Sequence, residues 1–259
     1  MRQLQLRTDK MLAHVEDGVG WITFNQPNKR NAVSLAMWQA IPEIIEYFAG
    51  SDEVRVVVLK GSGDKAFVSG ADISEFEEVR NTPEQVEIYE AATGAANFAL
   101  KSLEKPLIAM IRGFCIGGGM AIALTADLRV TADDGQFGVP AAKLGLGYGY
   151  GGIKELMNIV GPSFAKEIFF TGGRFSAADA ETMGLVNRVV PVDELEALVT
   201  SLATTVKAAK AAINEGTKNP DERELDLVAV MVEACFNSED YKEGRRAFME
   251  KRKPEFQGK

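Results

Sequence analysis

Residues 105–127 read KPLIAMIRGFCIGGGMAIALTAD. Lys105-Pro106 opens the run PLIAMIRGF, apolar enough for a buried strand, and the run leads into Gly117-Gly118-Gly119. Behind the glycines, MAIALTAD is apolar on all sides, as a helix inside a protein would be. LRVT then reads as another strand. Buried strand, glycine turn, buried helix and strand in direct succession specify α/β architecture.

The segments upstream repeat that alternation. Val19 to Phe24 (VGWITF) reads as a strand, and the loop NQPNKRNAVS follows it. Ser34 is placed to cap a helix from Leu35 to Phe48. Arg55 to Lys60 and Lys65 to Ser69 read as two strands, and Thr82-Pro83 opens a helix to about Ser102. This order predicts a right-handed α/β arrangement rather than a sandwich. From Gly151 onward helical patterns dominate, apart from VNRVVP. The expected layout is an α/β core over residues 1–195 with a helical region over 196–259.

With 259 residues, 46% hydrophobic and 25% charged, the chain can bury an ordinary core without disulfide or metal. A net charge of −8 argues against general nucleic-acid binding, although local basic clusters could still receive phosphates. Cys115 and Cys235 show no zinc-ligand spacing and read as two buried free thiols, so no metal site is expected. The N-terminal MRQLQLRTDK lacks the apolar core of a leader, and no apolar stretch of about 20 residues occurs. The expectation is a cytoplasmic protein with no membrane partner. His14 is the single histidine and reads as a strand or surface residue, which makes histidine-based hydrolysis improbable.

Three segments carry the candidate chemistry: KAFVSGADI (65–73), GFCIGGGMAI (113–122) and FGVPAAKLG (137–145) with its continuation LGYGYGG. Each alone is compatible with a structural use, since glycines after strands serve tight turns or close packing. Gly147 to Gly152 matches GxGxxG, but no convincing strand precedes it and no suitably placed acid follows, so a dinucleotide fold is set aside.

Together with NQPNKRNA, KPLIAMIRGFCIGGGM, TGGRFSAADAETMGLVNRVV and EGRRAFMEKRKPEF, these segments resemble the crotonase superfamily, the enoyl-CoA hydratase/isomerase family, from about Ala13 to Phe256. The resemblance implies a spiral core of ββα units and a C-terminal helical region used for trimerisation. It also implies an acyl-CoA thioester as substrate, with coenzyme A entering as part of that substrate and no permanently bound cofactor. A homotrimer or dimer of trimers would be the assembly. One N–H of an oxyanion hole would come from Ala71 and the other from Gly118, at the start of an apolar helix whose free N–H groups and dipole favour negative charge. Lys29, Arg30 and Ala32 would border the coenzyme A pyrophosphate and pantetheine. Ala66, Ser69, Gly70, Asp72 and Ile73 would form the adenine side, and Phe248 and Lys251 would reach the adenine and 3′-phosphate, often from a neighbouring subunit. Lys29-Arg30 taken alone could equally be a solvated basic loop.

The chain departs from the hydratase pattern at two positions. Ala121 and Ala141 stand where hydratases of the family carry glutamates, and a methyl group can neither activate water nor deliver a proton. Tyr148 and Tyr150 lie in the same stretch, Tyr148 where methylmalonyl-CoA decarboxylases of the superfamily use a tyrosine. Those decarboxylases have a histidine where Ala71 stands. Decarboxylation, isomerisation, thioester hydrolysis and silent acyl-CoA binding therefore remain open beside hydration. Glu75 and Glu78 read as capping or solvent-facing residues and Asp127 as a structural or interface carboxylate. By the same resemblance, the segment LVTSLATTVKAAKAAIN is expected to be shorter than its counterpart in relatives.

Overall fold

The computed structural model describes residues 2–145, 147–202 and 207–255. The chain begins as an antiparallel meander of β1 (Arg2–Gln3), β2 (Met11–Glu16) and β3 (Val19–Phe24). After α1 (Leu35–Gly50) it winds in repeated turns, each laying one strand in a large sheet and the next in a small one. The first turn is β4 (Val56–Gly61) and β5 (Ala66–Val68), followed by α2 (Phe76–Val79) and α3 (Pro83–Ser102). The second is β6 (Leu107–Ile111), β7 (Phe114–Ile116) and α4 (Gly118–Thr125). The third is β8 (Leu128–Ala132) and β9 (Gln136–Gly138), then α5 (Ala141–Leu144) and α6 (Tyr150–Thr171). The spiral closes through β10 (Phe175–Ser176), α7 (Ala177–Thr182) and β11 (Arg188–Val190). Helices α8 (Leu195–Leu202), α9 (Lys207–Thr217), α10 (Leu225–Asn237) and α11 (Glu239–Glu250) complete the chain.

The large sheet has the order β1-β2-β3-β4-β6-β8-β11 and is parallel from β3 onward. The small sheet has the order β10-β9-β7-β5, with only the β10–β9 pair antiparallel. This is the expected spiral of ββα units. Both faces of the large sheet are covered, which explains the uninterrupted apolar strands. Ile22, Phe24, Val57, Leu59, Leu107 and Ala109 face the main core with Phe48 of α1, Leu100 of α3 and Ile122 of α4. Trp21, Val58, Met110 and Val130 face the other way, under Leu195 and Val199 of α8.

Two strand readings are corrected. PLIAMIRGF is not one strand: it breaks at Gly113 into β6 and β7, which belong to different sheets. Gly113 has φ +62°, and a Cβ there would stand 2.2 Å from the Lys65 carbonyl oxygen, so only glycine passes this corner. Helix does not take over entirely after Gly151 either, because Phe175-Ser176 pairs with Gln136-Phe137 as β10. The expected Ser34 cap is present, its hydroxyl accepting from the Met37 N–H at 3.3 Å; α3 opens at Pro83 as expected, and the structure adds that Thr82 caps it.

Cys115 is buried as expected, but Cys235 is exposed. The correction follows from α10, whose apolar residues, Val230 and Phe236 among them, are themselves exposed. Asp127 is structural: its Oδ2 accepts from the Leu107 N–H and pairs with Lys210 of α9, each at 2.7 Å. Glu75 is largely covered and pairs with Lys10 at 2.7 Å; its side chain caps nothing. Within LVTSLATTVKAAKAAIN (198–214), the segment expected to be short, residues 203–206 lie outside the described residues. Among the described residues no helix is long and apolar enough to cross a membrane, and no group of three metal-ligating side chains converges.

Candidate functional site

The glycine turn and the GAD segment meet at the start of α4. Each of the three glycines is required for a different reason. Gly117 has φ 54° and ψ −110°, a conformation closed to residues with a Cβ. At Gly119 a Cβ would lie 2.1 Å from the Val68 carbonyl oxygen, so the helix could not approach β5 this closely with any larger residue. Gly118 is different. A Cβ there would meet nothing nearer than 3.5 Å, and the atoms it would meet are the Ala71 nitrogen and the Gly70 backbone. Its missing side chain leaves open the space beside the Ala71 N–H.

Both N–H groups are aimed by the carbonyl that shares their peptide plane, since C=O and N–H point opposite ways across a trans peptide. The Gly70 oxygen accepts from the Val33 N–H at 2.8 Å, which turns the Ala71 N–H away from Val33. The Gly117 oxygen accepts from the Ala121 N–H at 3.1 Å inside α4, which turns the Gly118 N–H outward from the helix start. Neither the Ala71 nor the Gly118 N–H has an acceptor among the described residues. Two unpaired donors beside one open space can hold an oxygen that carries or gains negative charge.

Ala71 is fixed from the other side as well. The Asp72 N–H donates to the Val33 oxygen at 2.9 Å, so Val33 grips the backbone on both flanks of Ala71. The Asp72 carboxylate is buried, 4% exposed, and accepts from Lys29 Nζ (2.8 Å), Gln26 Nε2 (3.1 Å), the Ser74 N–H (3.2 Å) and Ser74 Oγ (2.6 Å). Burial opposes its ionisation, but these donors and the Lys29 charge together hold its carboxyl below the usual range. The hydrogen bond to Asp72 correspondingly raises the Lys29 ammonium.

The structure brings together Lys29, Arg30, Ala32, Ala66, Ser69, Gly70, Asp72 and Ile73. The Ser69 N–H donates to the Arg30 oxygen at 3.1 Å, and the Ala66 oxygen accepts from Asn31 Nδ2 at 2.8 Å. Ala32 is buried and its oxygen accepts from Gln26 Nε2 at 2.8 Å, whereas Ile73 is 74% exposed. The guanidinium of Arg30 stacks over the Phe114 ring at 5.0 Å. Phe248 and Lys251 lie apart on and just after α11, with no hydrogen bond, ion pair or ring contact to this cluster among the described residues.

Ala121 is half-buried in the second turn of α4, and Ala141, buried, begins α5. Tyr148 packs edge-on against Phe169 of α6 at 5.0 Å, and burial pushes its phenol up, so it keeps its proton at neutral pH. Tyr150 starts α6 and is 77% exposed. His14 lies in β2 against Trp21, on the sheet face that α8 covers.

Val33 and Gly138 were not singled out from sequence, yet Val33 aims Ala71 and the Gly138 oxygen anchors the Gly117 N–H at 2.9 Å. Both act through backbone atoms, so their residue types carry no signal. Gln26 was missed too, although it is a polar residue in the NQPNKRNA loop and only the spatial meeting with Asp72 reveals its part.

A family model described as enoyl-CoA hydratase/isomerase matches residues 14–259. The chain is 35% identical to the short-chain-enoyl-CoA hydratase of Clostridium acetobutylicum, over 96% of this chain and 98% of that one. It is 34% identical to the crotonyl-CoA hydratase of Syntrophomonas wolfei, with 96% and 98% covered. Among solved structures, the enoyl-CoA hydratase/carnithine racemase of Magnetospirillum magneticum superposes with TM-score 0.86 at 32% identity, covering 99% of this chain and 97% of that one. The enoyl-CoA hydratase of Bacillus anthracis superposes with TM-score 0.82 at 30% identity, covering 97% and 100%.

Proposed function

Because the chain belongs to the enoyl-CoA hydratase/isomerase family, we propose that it binds an acyl-CoA thioester and stabilises its enolate form in an oxyanion hole made by the N–H groups of Ala71 and Gly118. The observation that carries this reading is the pair of unpaired, mutually adjacent donors, each aimed by a pinned carbonyl. A thioester oxygen gains charge as the enolate forms, so fixed donors favour that state over the ground state, each by about 3 kcal/mol in comparable sites. Lys29 and Arg30 supply positive charge for the pyrophosphate, Ala32 borders the pantetheine, and Ala66, Ser69, Gly70, Asp72 and Ile73 border the adenine. For Asp72 this is its backbone, since its carboxylate is engaged inside the protein. Phe248 and Lys251 serve the adenine and 3′-phosphate from a neighbouring copy in a homotrimer or dimer of trimers. Their exposure and their separation from the other contacts within one chain favour that arrangement. The site of action is the cytoplasm.

Hydration of an enoyl thioester is disfavoured, because Ala121 and Ala141 supply no acid or base. The bond change best suited to the remaining groups is one that generates the enolate without a base. Loss of CO₂ from a malonyl-type thioester does so: the C–C electron pair becomes the enolate, and a proton then reaches Cα. For that proton the proposed donor is the phenol of Tyr148, which lies between α5 and α6 and packs against Phe169.

The experiment is a panel of enoyl-, malonyl-type and saturated acyl-CoA thioesters incubated with the protein and read by mass spectrometry. Turnover of methylmalonyl- or ethylmalonyl-CoA with CO₂ release, lost in Tyr148→Phe, supports decarboxylation. Rapid hydration of crotonyl-CoA would contradict the part assigned to Ala121 and Ala141. Tight binding with no turnover of any member would leave a silent acyl-CoA-binding protein.

A further inference from the structure

The Asp72 carboxylate is the most densely engaged acid near the proposed oxyanion hole, and nothing in acyl-CoA chemistry requires it to touch substrate. Its partners belong to two loops. Gln26 and Lys29 come from the loop that also carries Val33, while Ser74 lies just beyond Asp72 in its own segment. Gln26 Nε2 donates both to Asp72 Oδ2 and to the Ala32 oxygen, the carbonyl immediately before Val33. The carboxylate therefore ties down the peptide that leads into Val33, and Val33 in turn aims the Ala71 N–H through the Gly70 oxygen.

We propose that Asp72 is a positioning residue that sets the direction of the Ala71 N–H, by clamping the Gln26–Val33 loop against the segment that carries Ala71. The proposal rests on the reading of Ala71 and Gly118 as an oxyanion hole. Preorganised donors lose effect steeply when misaimed, because a hydrogen bond weakens as its angle falls. Lys29 gives the clamp a link to the ligand. Its Nζ is 2.8 Å from Asp72 and 2.7 Å from Ser74 Oγ, so a pyrophosphate that engages Lys29 acts on the same carboxylate that steadies Ala71.

The test uses sorboyl-CoA, a conjugated dienoyl thioester whose absorption moves to longer wavelength when its carbonyl is polarised. Bound at saturation, the wild-type protein is expected to shift this band. Asp72→Asn, which keeps size but removes the charge, is expected to lower the shift at saturation by at least half. The double variant Gln26→Met with Lys29→Met leaves the backbone bridge between Val33 and Ala71 intact and is expected to lose a comparable part of the shift. It carries the test if Asp72→Asn does not fold. A purely structural role for Asp72 would lower the melting temperature and leave the shift of bound ligand unchanged, and that result in either variant overturns the proposal. Absence of any shift in the saturated wild type is a separate outcome: it removes the oxyanion hole itself, and the proposal with it.

Discussion

Gly118 and Gly119 are adjacent, chemically identical and predicted to respond oppositely to the same substitution. A methyl group at position 119 would overlap the Val68 carbonyl oxygen, which is backbone and cannot swing aside. Gly119→Ala should therefore cost about 1–3 kcal/mol of stability, read as a lower urea midpoint. A methyl group at position 118 fits at ordinary contact distance and adds helix propensity, so Gly118→Ala should fold with near wild-type stability. It should nonetheless lose carbonyl polarisation, because the methyl stands in the space beside the Ala71 nitrogen. Asp72 offers a pH test at the same scale. Its carboxyl is held below the usual range in the folded protein, so the ionised form is the one the fold stabilises. That contribution is complete above the unfolded value of about 4 and is lost as pH falls through the folded value. The stability gap between wild type and Asp72→Asn, measured by urea unfolding from neutral pH downward, should shrink below about pH 4. A gap that widened on acidification would show that the carboxylate is not stabilised as an anion.

Helices α4 and α5 carry Ala121 and Ala141, the two alanines on which the proposed loss of hydration rests. Ala121 is half-buried and Ala141 is buried in the main core, so carboxylates there meet different environments. Ala121→Glu combined with Ala141→Glu should raise crotonyl-CoA hydration above wild type. It should also lower stability, since a buried carboxylate without a partner is costly. No gain in hydration would mean that more than these two positions blocks the reaction. Much of this element-level arrangement was legible in the sequence. Ser34 announced its helix by capping chemistry and Pro83 by its place in a first turn, and the apolar run after Gly119 could only be a buried helix. What was not legible was the turn between sheets at Gly113 and the pairing of Phe175-Ser176 with β9. Strand membership depends on partners distant in sequence, and a short strand leaves little periodicity to read. For the same reason the Val33–Ala71 bridge, which aims one donor of the site, was invisible, although Ala71 itself carried a recognisable motif.

In the whole molecule, the spiral core is closed on both faces of its large sheet, whereas the C-terminal helices expose Leu225, Val230, Phe236, Phe248 and Met249. Such a concentration of exposed apolar side chains fits the proposed assembly. We expect light scattering to give the mass of a trimer or a dimer of trimers, and Val230→Asp with Phe236→Asp to reduce it. A wild-type monomer at micromolar concentration would contradict the assembly and, with it, the contribution of Phe248 and Lys251 from a neighbouring copy. The proposed function depends on one interaction above all, a thioester oxygen held between the N–H groups of Ala71 and Gly118. Its most direct measurement is the isotope-edited infrared spectrum of crotonyl-CoA, labelled at the thioester carbonyl and saturating the protein. The account predicts a carbonyl band moved to lower frequency in the wild type and returned toward the free value in Gly118→Ala. A ligand that is fully bound with its carbonyl band at the free frequency would contradict it.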